Sequence, residues 1–183
     1  MGKIVSNFFI SLDNVVEAPD KWHFGYFDDE MGAIVGRGVA DTKAFLMGRK
    51  LYDEWSQYWP GHTEDFGAFI NSVPKYVLSN SLTEATWQNT TILAGDDDTV
   101  AGRLRQVKDQ YDGDISLSGS ATTVRWLLAN GLLDELRLLV HPVAVGHGQR
   151  LFEDTPTQPL RLLNHEVLKS GVLNLTYAPE YER

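Results

Sequence analysis

The 183 residues carry a formal net charge of −9, with 43% hydrophobic and 22% charged side chains and no cysteine. That balance fits one globular domain with a sizeable core and lacks the surplus of Lys and Arg that nucleic-acid binding draws on. It also excludes disulfides, Cys-ligated zinc and a thiol nucleophile. No apolar run approaches the roughly 18 residues of a membrane span, and no apolar leader with a cleavage site follows Met1-Gly2-Lys3, so a cytoplasmic protein without membrane contact is expected.

Lys3 to Leu12 (KIVSNFFISL) is β-branched, aromatic and nearly continuous in apolarity, as suits a central strand covered on both faces. Asp13-Asn14 supplies turn chemistry, and the loop beyond it carries Trp22, Phe24, Tyr26 and Phe27, which cover a core or wall a pocket for a planar ligand. Asp28-Asp29-Glu30 opens a helix with Met31, Ile34, Val35 and Val39 on its inner face, and Gly36 and Gly38 predict a bend or a close packing within it. Lys43 to Met47 is a short buried strand, after which Gly48-Arg49-Lys50 starts a second helix. Two cations at a helix start are unfavourable unless a negative ligand offsets them, which singles out Arg49.

Trp55 and Trp59 end that helix before Pro60-Gly61, and a shorter one with Phe66, Phe69, Ile70 and Val73 stops at Pro74. Lys75 to Leu78 is a strand ending in Ser79-Asn80-Ser81; Thr91 to Ala94 is another, ended by Gly95. Asp97 to Gln110 reads as a half-buried crossover helix with Val100, Leu104 and Val107 inward. A buried strand from Ile115 then runs through Ser118-Gly119-Ser120-Ala121 into a helix whose Val124, Leu127 and Leu128 face inward. Small residues there let backbone approach a ligand, and the helix start aims free N–H groups at an anion. Leu136 to Val145 is a long strand in which Pro142 marks an edge, bulge or bend, followed by Gly146-His147-Gly148. Leu160 to Leu168 and Val172 to Tyr177 form a closing antiparallel hairpin about Ser170-Gly171.

Alternating strands and helices followed by a hairpin predict a three-layer α/β/α domain with a mostly parallel central sheet. Right-handed crossovers align the strand ends, so the Asp13 loop, Gly48-Arg49, Ser79-Asn80-Ser81, Gly95 and Gly119-Ser120 converge on one edge, where open α/β sheets bind ligands. The histidines lack an H-E-x-x-H spacing, so no metal site is expected. Ser118-Gly119-Ser120 is not a nucleophile elbow, and Gly36-x-Gly38 does not follow a strand as a Rossmann fingerprint would.

The ordered set Ser11-Leu12-Asp13 with Val15-Val16, Phe45 to Asp53, Lys75 to Leu82, Ser118 to Ala121, and Asp134-Glu135-Leu136 leading to Pro142 and Gly146-His147-Gly148 resembles the dihydrofolate-reductase fold. It resembles more closely the C-terminal reductase domain of bacterial riboflavin biosynthesis and its stand-alone relatives. The resemblance implies NADPH across the strand ends and hydride transfer to a small pteridine- or ribosylaminopyrimidine-like substrate, such as 5-amino-6-(5-phosphoribosylamino)uracil. It implies Gly48, Arg49 and Lys50 at phosphate, Ser79 and Asn80 by the adenosine 2′-phosphate with Gly95 beside them, and Gly119, Ser120, Ala121 and Thr122 under the diphosphate. It further implies Phe9 and Ile10 backbone with Val16 at the nicotinamide, and pairing of two copies into a homodimer. Asn14 stands where the family has Gly, and Asn tolerates a left-handed backbone. No carboxylate among Asp28, Asp29 and Glu30 aligns with the one that assists pterin protonation, so folate reduction is not supported. Asp13, Glu17 and His141 are the candidate catalytic groups on the substrate side. The alternatives are a non-catalytic NADP(H)-binding module and a dimeric interaction protein on the same fold.

Overall fold

The computed structural model describes residues 1–181. In chain order the elements are β1 (Lys3–Ser11), α1 (Asp29–Asp41), β2 (Thr42–Gly48), α2 (Arg49–Tyr58), α3 (Asp65–Ser72), β3 (Lys75–Leu78), β4 (Thr90–Leu93), α4 (Asp97–Gln110), β5 (Asp114–Ser118), α5 (Ala121–Ala129), β6 (Glu135–His141), β7 (Leu160–Val167) and β8 (Leu173–Pro179). One eight-stranded sheet has the order β4-β3-β2-β5-β1-β6-β8-β7. The first six strands are parallel, and β8 and then β7 add antiparallel, as the hairpin pattern predicts.

The direction of each crossover decides which face its helix covers. From β1 to β2 and from β2 to β3 the chain steps one way across the sheet; from β4 to β5 and from β5 to β6 it steps the other way. Accordingly α4 and α5 pack Val100, Leu104, Val107, Val124 and Leu127 onto Ile4, Phe8, Leu46, Ile115 and Leu117. On the opposite face α2 and α3 close over Phe45, Met47 and Val77 with Tyr52 and Ile70, and the partly buried Trp55, Trp59, Phe66 and Phe69 pack around them. Lys75 is fully buried in this layer, its Nζ donating to the Ile70 and Val73 carbonyls at 2.9 Å each, beside the end of α3.

Helix starts follow their capping chemistry. The Asp28 carboxylate accepts from the Met31 amide at α1, and Asp96 accepts from Thr99 at α4. The last parallel strand is shorter than the sequence pattern predicts. It stops at His141, because Pro142 offers no N–H to a ladder; Val143 turns back instead and accepts from the Leu12 amide at 2.8 Å. Two other expectations change. Gly36 and Gly38 sit within an unbroken α1, and a Cβ on either meets nothing within 4 Å, so neither marks a close packing. The first strand is not covered throughout: Asn7 and Phe9 are half-buried and line a cavity.

Candidate functional site

Strand β5 lies between β2 and β1, and its own helix leaves on the face opposite to theirs. This reversal opens a crevice at the carboxyl ends of the three strands. The turn Ser118-Gly119-Ser120 sits in it with Gly119 at φ +78° and Ser120 at φ +58°, a left-handed pair that glycine tolerates and serine adopts at a cost. Ser120 Oγ accepts from the Thr123 amide at 3.3 Å, which caps α5. Across the crevice Gly48 precedes α2 with no side-chain cap, leaving first-turn N–H groups free. A Cβ at Gly48 would come within 2.8 Å of Thr123 Oγ1, so only glycine lets the two helix starts approach.

Arg49 lies one residue further on. Its Nε bonds both Asp53 oxygens at 2.8 Å, and its Nη1 reaches Ser81 Oγ at 3.0 Å. Ser79 Oγ accepts from the Ser81 and Leu82 amides, and the Asn80 amide group brackets Gly95, accepting from its N–H at 2.7 Å and donating to its carbonyl at 3.0 Å. The structure therefore brings Gly48, Arg49, Ser79, Asn80, Gly95, Gly119, Ser120, Ala121 and Thr122 to one edge, in two knitted groups. Lys50 is exposed in the first turn of α2. Donors held in place by neighbours, beside an uncapped helix start, suit an anion.

At the end of β1, two of the three groups expected to move protons, Asp13 and Glu17, hold the loop from Val145 to Gln149. Asp13 accepts from Ser11 Oγ at 2.6 Å and from the amides of Val145 and Gly146 at 2.9 and 2.7 Å. These bonds, the Ser11 hydroxyl foremost, hold its carboxyl well below the usual carboxylate range. An ionised, fully bonded carboxylate clamps a loop and is no proton donor at neutral pH. Glu17 likewise accepts from the Gln149 amide at 2.6 Å. Asn14 takes φ +72°, keeping the left-handed turn, and Val16 donates to the Gln149 carbonyl at 2.9 Å. Of the acids at the start of α1, Asp28 is the cap and Glu30 is bound by the Lys169 amide and ammonium.

His141 is fully buried at the end of β6, with Nδ1 2.8 Å from the Leu139 carbonyl and Nε2 without a partner among the described residues. A nitrogen bonded to a carbonyl carries the hydrogen, so in the neutral ring Nε2 is an acceptor. Phe9, Trp22, His23 and Tyr26 surround it, with centroids between 5.3 and 6.0 Å. His23, which the sequence does not single out, stacks on Phe9 at 4.5 Å and also has a buried nitrogen with no partner among the described residues. Burial pushes both imidazoles below their ordinary pKa.

Beneath α1 a cavity of about 340 Å³ adjoins this cage through Phe9 and the crevice through Ser118. Ile34, Val35, Phe66 and Phe69 wall it, and its floor is polar: Asn7, Thr42, Ser116, Ser118, Arg137 and Thr176. Apart from Ser118, which opens the small-residue turn, sequence periodicity missed this floor, since each residue is alone between apolar neighbours or reads as an ordinary strand residue. Ile10, by contrast, faces the α4–α5 core, leaving its backbone at the strand end as the part available to a ligand.

The profile of the RibD C-terminal domain matches residues 2–174. The chain is 29% identical over 182 residues to the uncharacterized protein YyaP of Bacillus subtilis (strain 168), covering 96% of this chain and 94% of that one. Among solved structures, a candidate riboflavin biosynthesis protein of Shewanella sp. PV-4 superposes with a TM-score of 0.73 at 18% identity, over 98% of this chain and 99% of that one. The diaminohydroxyphosphoribosylaminopyrimidine deaminase/5-amino-6-(5-phosphoribosylamino)uracil reductase of Thermotoga maritima gives 0.68 at 14% identity, over 97% of this chain and 56% of that one. Dihydrofolate reductase of Enterococcus faecalis, complexed with NADP(H), gives 0.62 at 12% identity, over 98% of each chain. These structural likenesses are likenesses of fold.

Proposed function

The chain belongs to the RibD C-terminal domain family, and on that footing we propose that it is an NADPH-dependent reductase of a small pteridine- or ribosylaminopyrimidine-like heterocycle. The observation that carries the reading is the pair of facing helix starts, with Arg49 prepositioned on Ser81 and Asp53 beside them. When bound, NADPH supplies a hydride; the protein supplies position and exclusion of water. Gly119 to Thr122 would hold the diphosphate, where a Cβ on Gly119 meets nothing within 4 Å and space remains for it. Arg49, Ser79 and Asn80 would take the 2′-phosphate. Val16 and the Phe9–Ile10 backbone would border the nicotinamide, with the acceptor in the cavity under α1. With Asp13, Glu17, Asp28 and Glu30 engaged elsewhere, His141 and His23, buried beside the cavity, are assigned the proton relay.

Thermal denaturation tests the cofactor: a ligand that binds only the folded chain raises its melting temperature. Millimolar NADPH should do so, and an unchanged melting temperature sinks the reading. The engagement of Asp13, Glu17, Asp28 and Glu30 elsewhere favours one competitor, a protein that binds NADP(H) without catalysis. NADPH oxidation with pteridine and aminopyrimidine acceptors separates the two.

We also propose that two copies pair through β7. This edge strand is eight residues long and exposed almost throughout, including Leu162, Leu163 and Val167. Antiparallel pairing centred between Leu163 and Asn164 sets Arg161 of one copy opposite Glu166 of the other, a self-complementary match. Light scattering should give twice the chain mass, and a proline at His165 should return it to one.

A further inference from the structure

Register places five polar side chains in one line across the cavity floor. Ser118 on β5 pairs with Asn7 on β1, Asn7 with Arg137 on β6, Arg137 with Thr176 on β8, and Thr176 with Asn164 on β7. All five line the cavity. Ser118, Asn7, Thr176 and Asn164 have no side-chain hydrogen bond among the described residues, so their hydroxyls and amides are free to bond a ligand. At roughly 4.8 Å per strand the line runs about 19 Å, well beyond the width of a fused bicyclic ring.

The charges around it cancel. Arg137 donates from Nη2 to Glu135 at 2.7 Å and pairs through Nη1 with Asp114 at 2.9 Å, while Lys3 closes on Glu135 at 2.7 Å. Two cations thus face two carboxylates, and both edges of the guanidinium are occupied. At the mouth Arg37, exposed on α1 and with no ion pair among the described residues, stands one helical turn from Asp41, of opposite sign. At the far end the charge next to the line is negative: Glu166 Oε2 accepts from Asn174 at 3.4 Å. A phosphate held on the floor needs surplus positive charge or a free arginine fork there; the Arg137 fork is occupied and Arg37 is an exposed residue of α1, so the floor itself offers neither.

Resting on the reductase reading, we infer that the acceptor is a nucleoside-like molecule: a heterocycle beside Ser118 and Asn7 with an uncharged hydroxylated arm toward Thr176 and Asn164, carrying no phosphate. Calorimetric titration of the full-length protein saturated with NADP⁺ tests this, with uridine and uridine 5′-monophosphate as probes at one ionic strength. Uridine should bind at least tenfold tighter than its monophosphate. The double variant Thr176→Val, Asn164→Leu should lose about tenfold in uridine affinity, as two hydrogen bonds of ordinary strength would give, and keep its NADP⁺ affinity. Arg37→Ala should leave both probes within twofold of the parent.

Equal or tighter binding of the monophosphate overturns the inference. So does a monophosphate affinity that falls tenfold in Arg37→Ala, or no uridine binding at millimolar concentration. Failure of NADP⁺ to bind in the preceding titration overturns the reductase reading instead. The two failures are read from separate isotherms of the same sample.

Discussion

Against one face of the sheet, α4 and α5 bury Val100, Ala101, Leu104, Val107, Ala121, Val124 and Leu127 on a floor of Ile4, Phe8, Leu46, Ile115 and Leu117. Against part of the other face, α1 fully buries Met31 alone among its thirteen residues, with Ile34, Val35 and Val39 half-buried over a polar floor and a cavity. Both arrangements are helix on sheet. The difference shows that a helix closing a core must match its floor residue by residue, whereas a helix roofing a cavity need not.

Removing a packed side chain gives the strongest contrast. Leu127→Ala on the tight face should cost about 2–5 kcal/mol, from lost burial and the cavity left behind. Ile34→Ala on the loose face should cost about 1 kcal/mol or less, because its neighbours already include open space. Urea midpoints measure both, and equal losses would break the comparison.

Arg49→Ala probes the proposed cofactor side. Loss of a charge-assisted bond should weaken NADPH by roughly 10- to 100-fold, with NADH much less affected. Equal losses for both cofactors would remove Arg49 from the 2′-phosphate. Stability should change little, since its ion pair with Asp53 is part-exposed.

Lys75 sharpens the contrast from beneath α3, on the same face as α1 but in its closed half. Burial pushes its ammonium down to about 8 from 10.5, although the α3 carbonyls favour the charged form. Below pH 8 both folded and unfolded chains hold the proton, and the burial cost is fully present. As pH climbs from 8 toward 10.5 the folded chain releases the proton first, so stability rises, on the order of 2 kcal/mol. Denaturation at pH 7.5 and 10 should show that gain in the parent and not in Lys75→Met.

The smallest effect belongs to the glycines of α1. Gly36→Ala and Gly38→Ala should each stabilise by about 1 kcal/mol or less, because neither glycine has a close neighbour and alanine suits a helix interior. Melting temperatures that fall instead would mean that α1 needs its looseness for folding, not only for the space beneath it.

Much of the fold is legible in the sequence. Strand Lys75–Leu78 and helix Asp97–Gln110 match their sequence patterns end to end, because turn residues bound both elements closely. The converging turns were legible because a strand followed by small or capping residues has few alternatives. Asp13 was visible as a residue but not as a clamp, because its partners at Val145 and Gly146 lie 132 and 133 positions away. The polar floor was hidden for the same reason: Asn7, Arg137, Thr176 and Asn164 form a line only through register. His23 gave no signal, since a histidine among loop aromatics has no periodicity to mark it.

That long clasp also has a consequence in time. At roughly 5–20 residues per second, the 133 positions from Asp13 to Gly146 take about 7–27 s to synthesise. Throughout that interval the first loop has emerged without its clamp, while β2, β3 and β4 can already find one another. The loop after β1 is therefore clamped only once β2 to β6 have been synthesised. A ribosome stalled ahead of Gly146 would hold a partly formed sheet with no means of closing its site.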